Sequence, residues 1–63
     1  MKTYKVSLVD LSKDFRSGVL WNKYVKGLSD ARKVYPDIKV SYCYNSKCFT
    51  GFKNNLQLFI KEV

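Results

Sequence analysis

The sequence contains no histidine, and it has only five aspartate and glutamate residues. Histidine is the side chain whose charge ordinarily changes near neutral pH, so the commonest general acid or base is missing. The chain also has no glycine-rich phosphate loop and no nucleophile motif. We therefore expect a protein that acts by binding rather than by catalysis, and no residue is assigned a catalytic role.

Candidate metal ligands are equally scarce. A structural zinc ion usually takes four cysteine or histidine ligands, and this chain offers two cysteines. Asp10 and Asp14 are close in sequence and could together hold a magnesium ion, but carboxylates in loops more often cap turns or face water. The sequence thus predicts neither a metal site nor a bound cofactor.

No apolar run approaches the roughly 18 residues that a membrane span requires. The first residues are too charged for a secretory signal, so we expect a cytoplasmic protein with no membrane partner. A chain of 63 residues allows one domain, residues 1–63. Aromatic residues make up 16% of it, more than so small a core easily encloses, which favours a homodimer or docking to another molecule.

Two segments have the alternating pattern of half-buried strands. In residues 3–9, the apolar side chains of Tyr4, Val6 and Leu8 fall on one face. Residues 38–44 alternate in the same way. They are followed by a turn signal, Asn45-Ser46, and by a return strand over residues 47–52, which together predict a hairpin.

Residues 18–35 have a helical period instead. Most of their apolar side chains, among them Trp21 and Tyr24, fall within one arc of a helical wheel, so these rings are expected in the core. Ser17 is the predicted N-cap, and Pro36 is expected to end the helix. Gly27 would lie in the middle of the helix, where a kink and a second short helix are an alternative.

The last ten residues fit two templates. Leu56, Phe59, Ile60 and Val63 follow helical spacing after an asparagine cap at position 54 or 55, whereas Leu56, Leu58 and Ile60 alternate as in a strand. More positions fit the helix, which we favour. The predicted fold is α+β in the order β-α-β-β-α, with helices on one face of a three-stranded, mainly antiparallel sheet. The alternative makes the last element a fourth strand.

This arrangement leaves one sheet face uncovered, as is common in antiparallel sheets. If Tyr42 and Phe49 pair across the hairpin and face the helix, the opposite face is a polar and basic platform. Its predicted members are Lys5, Ser7, Lys39, Ser41, Thr50 and both cysteines.

The same hairpin brings the two cysteines together. A turn at Asn45-Ser46 places Cys43 opposite Cys48, at a separation that a disulfide tolerates. In a reducing compartment the two remain thiols and behave as small apolar side chains, which is the state we favour. The disulfide is the alternative.

Positive charge is the main functional signal. Twelve lysine and arginine residues against five acidic ones give a net charge of +7, which attracts polyanions. The candidate contacts to nucleic acid or to another partner are Lys5, Lys23, Lys26, Lys33, Lys39, Lys47 and Lys53. Their spread over several surfaces predicts weak, non-specific contact with the phosphate backbone at most. Base reading commonly uses arginine, and the chain has only Arg16 and Arg32, so recognition of base sequence is not expected.

Two functions fit these properties. The first is a regulatory or accessory protein that binds nucleic acid through its lysines. The alternative is a protein-binding inhibitor or adaptor, of the kind that phages use, which docks on a larger acidic protein. Salt-sensitive binding to DNA or RNA favours the first function. A protein complex that survives nuclease treatment favours the second.

Overall fold

The structure is a computed structural model that describes residues 1–14 and 17–63. Strands, which have alternating sequence patterns, make up most of its secondary structure. The described residues form a five-stranded antiparallel sheet and one short helix, so the prediction of a three-stranded sheet covered by two helices is wrong. The elements are β1 (Thr3–Asp10), β2 (Val19–Lys26), α1 (Leu28–Lys33), β3 (Ser41–Cys43), β4 (Cys48–Lys53) and β5 (Leu56–Glu62). Their order in the sheet is β2-β1-β5-β4-β3.

The two inner strands β1 and β5 build the core. Val6 is paired with Ile60 and Leu8 with Leu58, and these side chains are 0–4% exposed. All of them project to the sheet face on which α1 lies, where they meet the buried Ala31. The strand predicted over residues 3–9 is confirmed, because its period of two matches a strand with one buried face.

The helix predicted over residues 18–35 is wrong for its first half. Residues Val19–Lys26 form β2, an edge strand paired with β1, and only Leu28–Lys33 is helical. This segment is rich in valine and aromatic side chains, which pack well on a sheet. Trp21 and Val25 face the core, whereas Tyr24 projects from the other side and is 62% exposed. The prediction that Tyr24 is a core residue is therefore wrong.

Gly27 separates the strand from the helix. Its φ of 86° lies in the left-handed region, which favours glycine, and its carbonyl accepts the first helical hydrogen bond from the Ala31 N–H. Gly27 is thus the N-cap of α1 rather than a mid-helix residue. Ser17 caps no helix: its N–H and hydroxyl donate to Asp14 Oδ1 at 2.9 and 2.7 Å.

The predicted C-terminal helix is also wrong. Residues Leu56–Glu62 form β5, which pairs with β1 on one side and β4 on the other. Asn54 and Asn55 form the two-residue connection between β4 and β5, and Asn54 has a φ of 55°. Asparagine tolerates this conformation in hairpin turns, so the asparagines that were interpreted as a helix cap are a turn.

The β3–β4 hairpin has the predicted register. Tyr42 lies opposite Phe49 and Cys43 lies opposite Cys48, with the two rings 5.1 Å apart. β3 begins at Ser41 instead of residue 38 and ends at Cys43, so it is only three residues long, and residues 44–47 form the turn. Residues 34–40 connect α1 to this hairpin across the core face, with Ile38 buried in the core.

Candidate functional site: the open face of the sheet

Helix α1 and residues 34–40 cover one side of the sheet, and none of the described helices or strands packs on the other side, which we call the open face. Strand pairing assigns side chains to it, because directly opposed residues project to the same side. The open face contains Thr3, Lys5, Ser7, Val9, Val19, Asn22, Tyr24, Lys26, Ser41, Cys43, Cys48, Thr50, Phe52, Gln57, Phe59 and Lys61.

The positive charge on this face is concentrated at one end. Lys5 of β1 lies directly opposite Lys61 of β5. On β2, Lys26 lies two residues beyond Tyr24, which is the partner of Lys5. Like charges that face each other across strands destabilise a sheet. None of the open-face strand positions holds an aspartate or glutamate to balance them. The three ammonium groups therefore form a local positive field that a bound anion would neutralise.

The nearest glutamate on the strands projects the other way. Glu62 is paired with Tyr4 on the core side of the sheet, and its carboxylate accepts from Lys2 Nζ at 3.1 Å. This contact raises the pKa of Lys2. The one ion pair among the described residues thus leaves the open-face lysines unpaired.

Aromatic rings accompany the lysines on this face. Tyr24 and Phe52 are 62% and 64% exposed, and Phe59 is half-buried between them. The outer face of an antiparallel sheet normally carries polar side chains, so exposed rings in this position are unusual. Together with the lysines they make a surface that combines apolar area with positive charge.

A concave depression of about 480 Å³ lies in the middle of the open face. Lys5 and Lys61 line one end, Val9, Leu11 and Val19 line the other, and Phe59 lies between them. The depression therefore places an apolar surface directly beside two ammonium groups.

Two side-chain amides near the depression are held in place by hydrogen bonds. The Ser7 hydroxyl donates to Asn22 Oδ1 at 2.7 Å, and Gln57 Nε2 donates to Thr50 Oγ1 at 3.0 Å. Side chains that are already ordered lose less conformational entropy when a ligand binds. These amides can offer polar contacts to a ligand that fills the depression.

The structure places most of the lysines that were predicted to contact a partner on different parts of the molecule. Lys5 and Lys26 lie on the open face, but Lys23 projects to the opposite side of β2 and Lys33 lies in α1. Lys39 precedes β3, outside the sheet, so its predicted place on the platform is wrong. Lys47 is in the hairpin turn, and Lys53 is the last residue of β4.

Sequence reasoning missed Lys61 and Phe59 because it placed them in a helix. The alternation of Leu56, Leu58 and Ile60 was the signal that could have found them, since it implies that the intervening residues face the opposite side. The other predicted members of the platform, Ser7, Ser41, Thr50 and the two cysteines, do lie on the open face.

Both carboxylates proposed as magnesium ligands accept hydrogen bonds from a nearby serine. Asp10 Oδ1 accepts from the N–H and hydroxyl of Ser12 at 2.9 and 2.6 Å, which lowers the pKa of Asp10. Asp14 accepts in the same way from Ser17. Among the described residues, no three cysteine, aspartate or glutamate side chains cluster as metal ligands. Nor does this part of the chain contain a helix of the length and apolarity that a membrane crossing requires.

Cys43 and Cys48 are free thiols that face each other across the β3–β4 hairpin, and Cys48 is buried. Hydrogen bonds with Ser46, whose hydroxyl lies 3.6 Å from Cys43 Sγ, lower the pKa of the Cys43 thiol. A lower pKa increases the thiolate fraction, and the thiolate is the species that attacks a disulfide.

We predict that excess oxidised glutathione converts this pair to an intramolecular disulfide. Opposed residues have Cα atoms about 4.5–5.5 Å apart, within the range a disulfide accepts. Intact-mass measurement should show the loss of two hydrogens, and the short loop should raise the free energy of unfolding by about 2 kcal/mol. The Cys43→Ser variant is the control. Stable glutathione adducts on both cysteines would contradict the prediction.

Comparison of the chain with protein-family models, curated proteins and solved structures finds no significant match.

Proposed function

We propose that this protein binds nucleic acid through the open face, with lysines contacting the phosphate backbone. The observation that carries the proposal is the opposed pair Lys5 and Lys61, with Lys26 nearby and no carboxylate at any strand position of that face. An anion bound there relieves the repulsion between the two ammonium groups and releases condensed counterions from the nucleic acid.

A polyanion fits this surface better than a small anion does. The lysines are distributed over three neighbouring strands instead of converging on one point, so they match a chain of phosphates. Their ammonium groups act as point charges and do not recognise base edges by paired hydrogen bonds. The protein would therefore bind many sequences with similar affinity.

The test is the binding of a fluorescently labelled oligonucleotide to a variant in which Lys5→Gln and Lys61→Gln are combined. At about 50 mM salt we expect the affinity to fall tenfold or more, because two phosphate contacts are lost. The slope of log affinity against log salt should become shallower by about 2, one for each contact. Fluorescence anisotropy at several salt concentrations measures both quantities.

The matched control combines Lys33→Gln with Lys47→Gln. It removes the same charge from α1 and from the hairpin turn, away from the open-face strands. We expect a much smaller loss of affinity from this control. Equal losses in the two double variants would show that only net charge matters and would refute the assignment to the open face. Absence of binding by the unaltered protein at about 50 mM salt would refute nucleic-acid binding itself.

One observation favours docking to an acidic protein as a second candidate. At the hairpin turn, Tyr44 is 84% exposed and its ring lies 4.9 Å from that of Tyr42, itself 43% exposed. Exposed tyrosines are common among the residues that contribute most to binding in protein interfaces. A protein complex that survives nuclease treatment and is lost in Tyr44→Ser, while oligonucleotide binding is unchanged, would support this candidate.

A further inference from the structure

The three aromatic rings of the open face lie along a diagonal of the sheet. Tyr24 is on β2 in the row of Lys5, Phe59 is on β5 one row further, and Phe52 is on β4 one row beyond that. From the spacing of strands and residues, the Cα of Tyr24 is about 12 Å from that of Phe59, which is about 8 Å from that of Phe52. The rings thus form a line that crosses four strands, from β2 over β1 and β5 to β4.

The lysines lie along one side of this line. Lys26 of β2, Lys5 of β1 and Lys61 of β5 all lie on the side of the diagonal that is nearer the N-terminal end of β1. The apolar end of the depression, formed by Val9 and Val19, lies on the opposite side of the diagonal. The open face therefore has a charged band, a line of rings and an apolar recess, in that order.

This order matches the parts of an unpaired nucleic-acid strand. A strand whose phosphates follow the charged band can turn its bases toward the rings, and base–aromatic stacking does not depend on sequence. A duplex can also contact lysines, but its bases are stacked on one another and offer no free face to a ring. The rings are thus the feature that distinguishes between the two ligands.

We infer that the ligand of the open face is single-stranded nucleic acid, whose bases stack on Phe59 and on the exposed rings of Tyr24 and Phe52. This inference rests on the proposed function and specifies its substrate class. The positive charge with no carboxylate at the open-face strand positions argues for an anionic occupant, and the exposed rings argue for one with accessible planar groups. The hydrogen-bonded amides of Asn22 and Gln57 provide polar contacts beside the rings.

The experiment compares three labelled ligands of equal length, about 12 nucleotides, which is within the range of known single-strand sites. They are a mixed-sequence single strand, its duplex, and a strand of abasic sugar-phosphate units that has the charges without the bases. At about 100 mM salt we expect the single strand to bind at least tenfold more tightly than the other two, because only it can stack.

Leucine substitutions then remove the rings while keeping apolar bulk. For Phe59→Leu we expect a loss of about tenfold in single-strand affinity, with unchanged affinity for the abasic strand and an unchanged salt slope. Tyr24→Leu and Phe52→Leu should each lose a few-fold, and because both rings are exposed these variants should fold normally. Tyr44→Leu is the matched control, since it removes an exposed ring at the hairpin turn.

Several outcomes would overturn the inference. Equal affinity for duplex and single strand, or for the abasic strand and the normal one, would show that the rings take no part in binding. The same conclusion follows if Tyr24→Leu and Phe52→Leu behave like Tyr44→Leu. If the lysine double variant still weakens binding in these cases, the proposed function stands without base stacking. If the lysine double variant also binds as tightly as the unaltered protein, both the stacking inference and the proposed function are refuted.

Discussion

Replacing Gly51 with alanine is expected to destabilise the protein by about 3 kcal/mol, a typical cost of severe overpacking. Gly51 lies on the core side of β4, opposite Leu58, where the connection from α1 to β3 crosses the sheet. A Cβ at this position would overlap the carbonyl oxygen of Lys39 and would lie 2.8 Å from Ile38 Cγ2. The first of these contacts is with backbone, which cannot move aside without displacing the connection.

This loss is large for so small a protein. A chain of this length has a stability of roughly 3–9 kcal/mol, so Gly51→Ala should leave a substantial unfolded fraction at room temperature. Urea denaturation followed by circular dichroism measures the change. Phe52→Ala is the control, because it alters the next residue of the same strand on the exposed side. Equal stability of Gly51→Ala and the unaltered protein would mean that residues 38–39 do not lie against β4.

Local patterns were sufficient for β1 and for the β3–β4 hairpin. In β1 the alternation of Tyr4, Val6 and Leu8 is uninterrupted, and no helical template competes with it. In the hairpin, the short distance along the chain between Tyr42 and Phe49 fixes the register once a turn is placed between them. Both features depend on neighbouring residues alone, so a single sequence reveals them.

The two strands that were interpreted as helices depend on contacts between distant residues. β2 is an edge strand, and its apolar residues coincide with helical spacing when they are counted together with those of α1. Gly27, whose positive φ separates strand from helix, was interpreted as a tolerated irregularity. For β5, the decisive signal was the Asn54-Asn55 turn, since asparagine suits both a helix cap and a hairpin.

The positions of the site residues depend on which of these segments are strands. Lys5 and Ser7 were placed correctly because β1 was correct. A C-terminal helix puts Lys61 and Phe59 outside the open face, and a helix over residues 18–35 puts Tyr24 in the core. The lysines therefore seemed dispersed, and the combination of rings and charge became visible only with the five-stranded sheet.

Adjacent residues of β5 provide a direct test of this sheet. We expect Ile60→Ala to lower the free energy of unfolding by about 3 kcal/mol, because Ile60 is 0% exposed, is paired with Val6 and Phe49, and would leave a cavity. Phe59→Ala removes a larger side chain from the open face, where it is half-buried. Its cost should be smaller than that of Ile60→Ala, since part of the ring already contacts water.

A C-terminal helix and the strand β5 predict opposite orders for the stability losses of Ile60→Ala and Phe59→Ala. In a helix with apolar positions 56, 59, 60 and 63, both side chains would face the core, and removing the larger ring would cost at least as much. In the strand, successive side chains alternate, and the smaller buried residue is the more costly to remove. Parallel urea denaturation of the two variants decides between these structures. A greater loss for Phe59→Ala would remove Phe59 from the open face and with it the stacking surface inferred above.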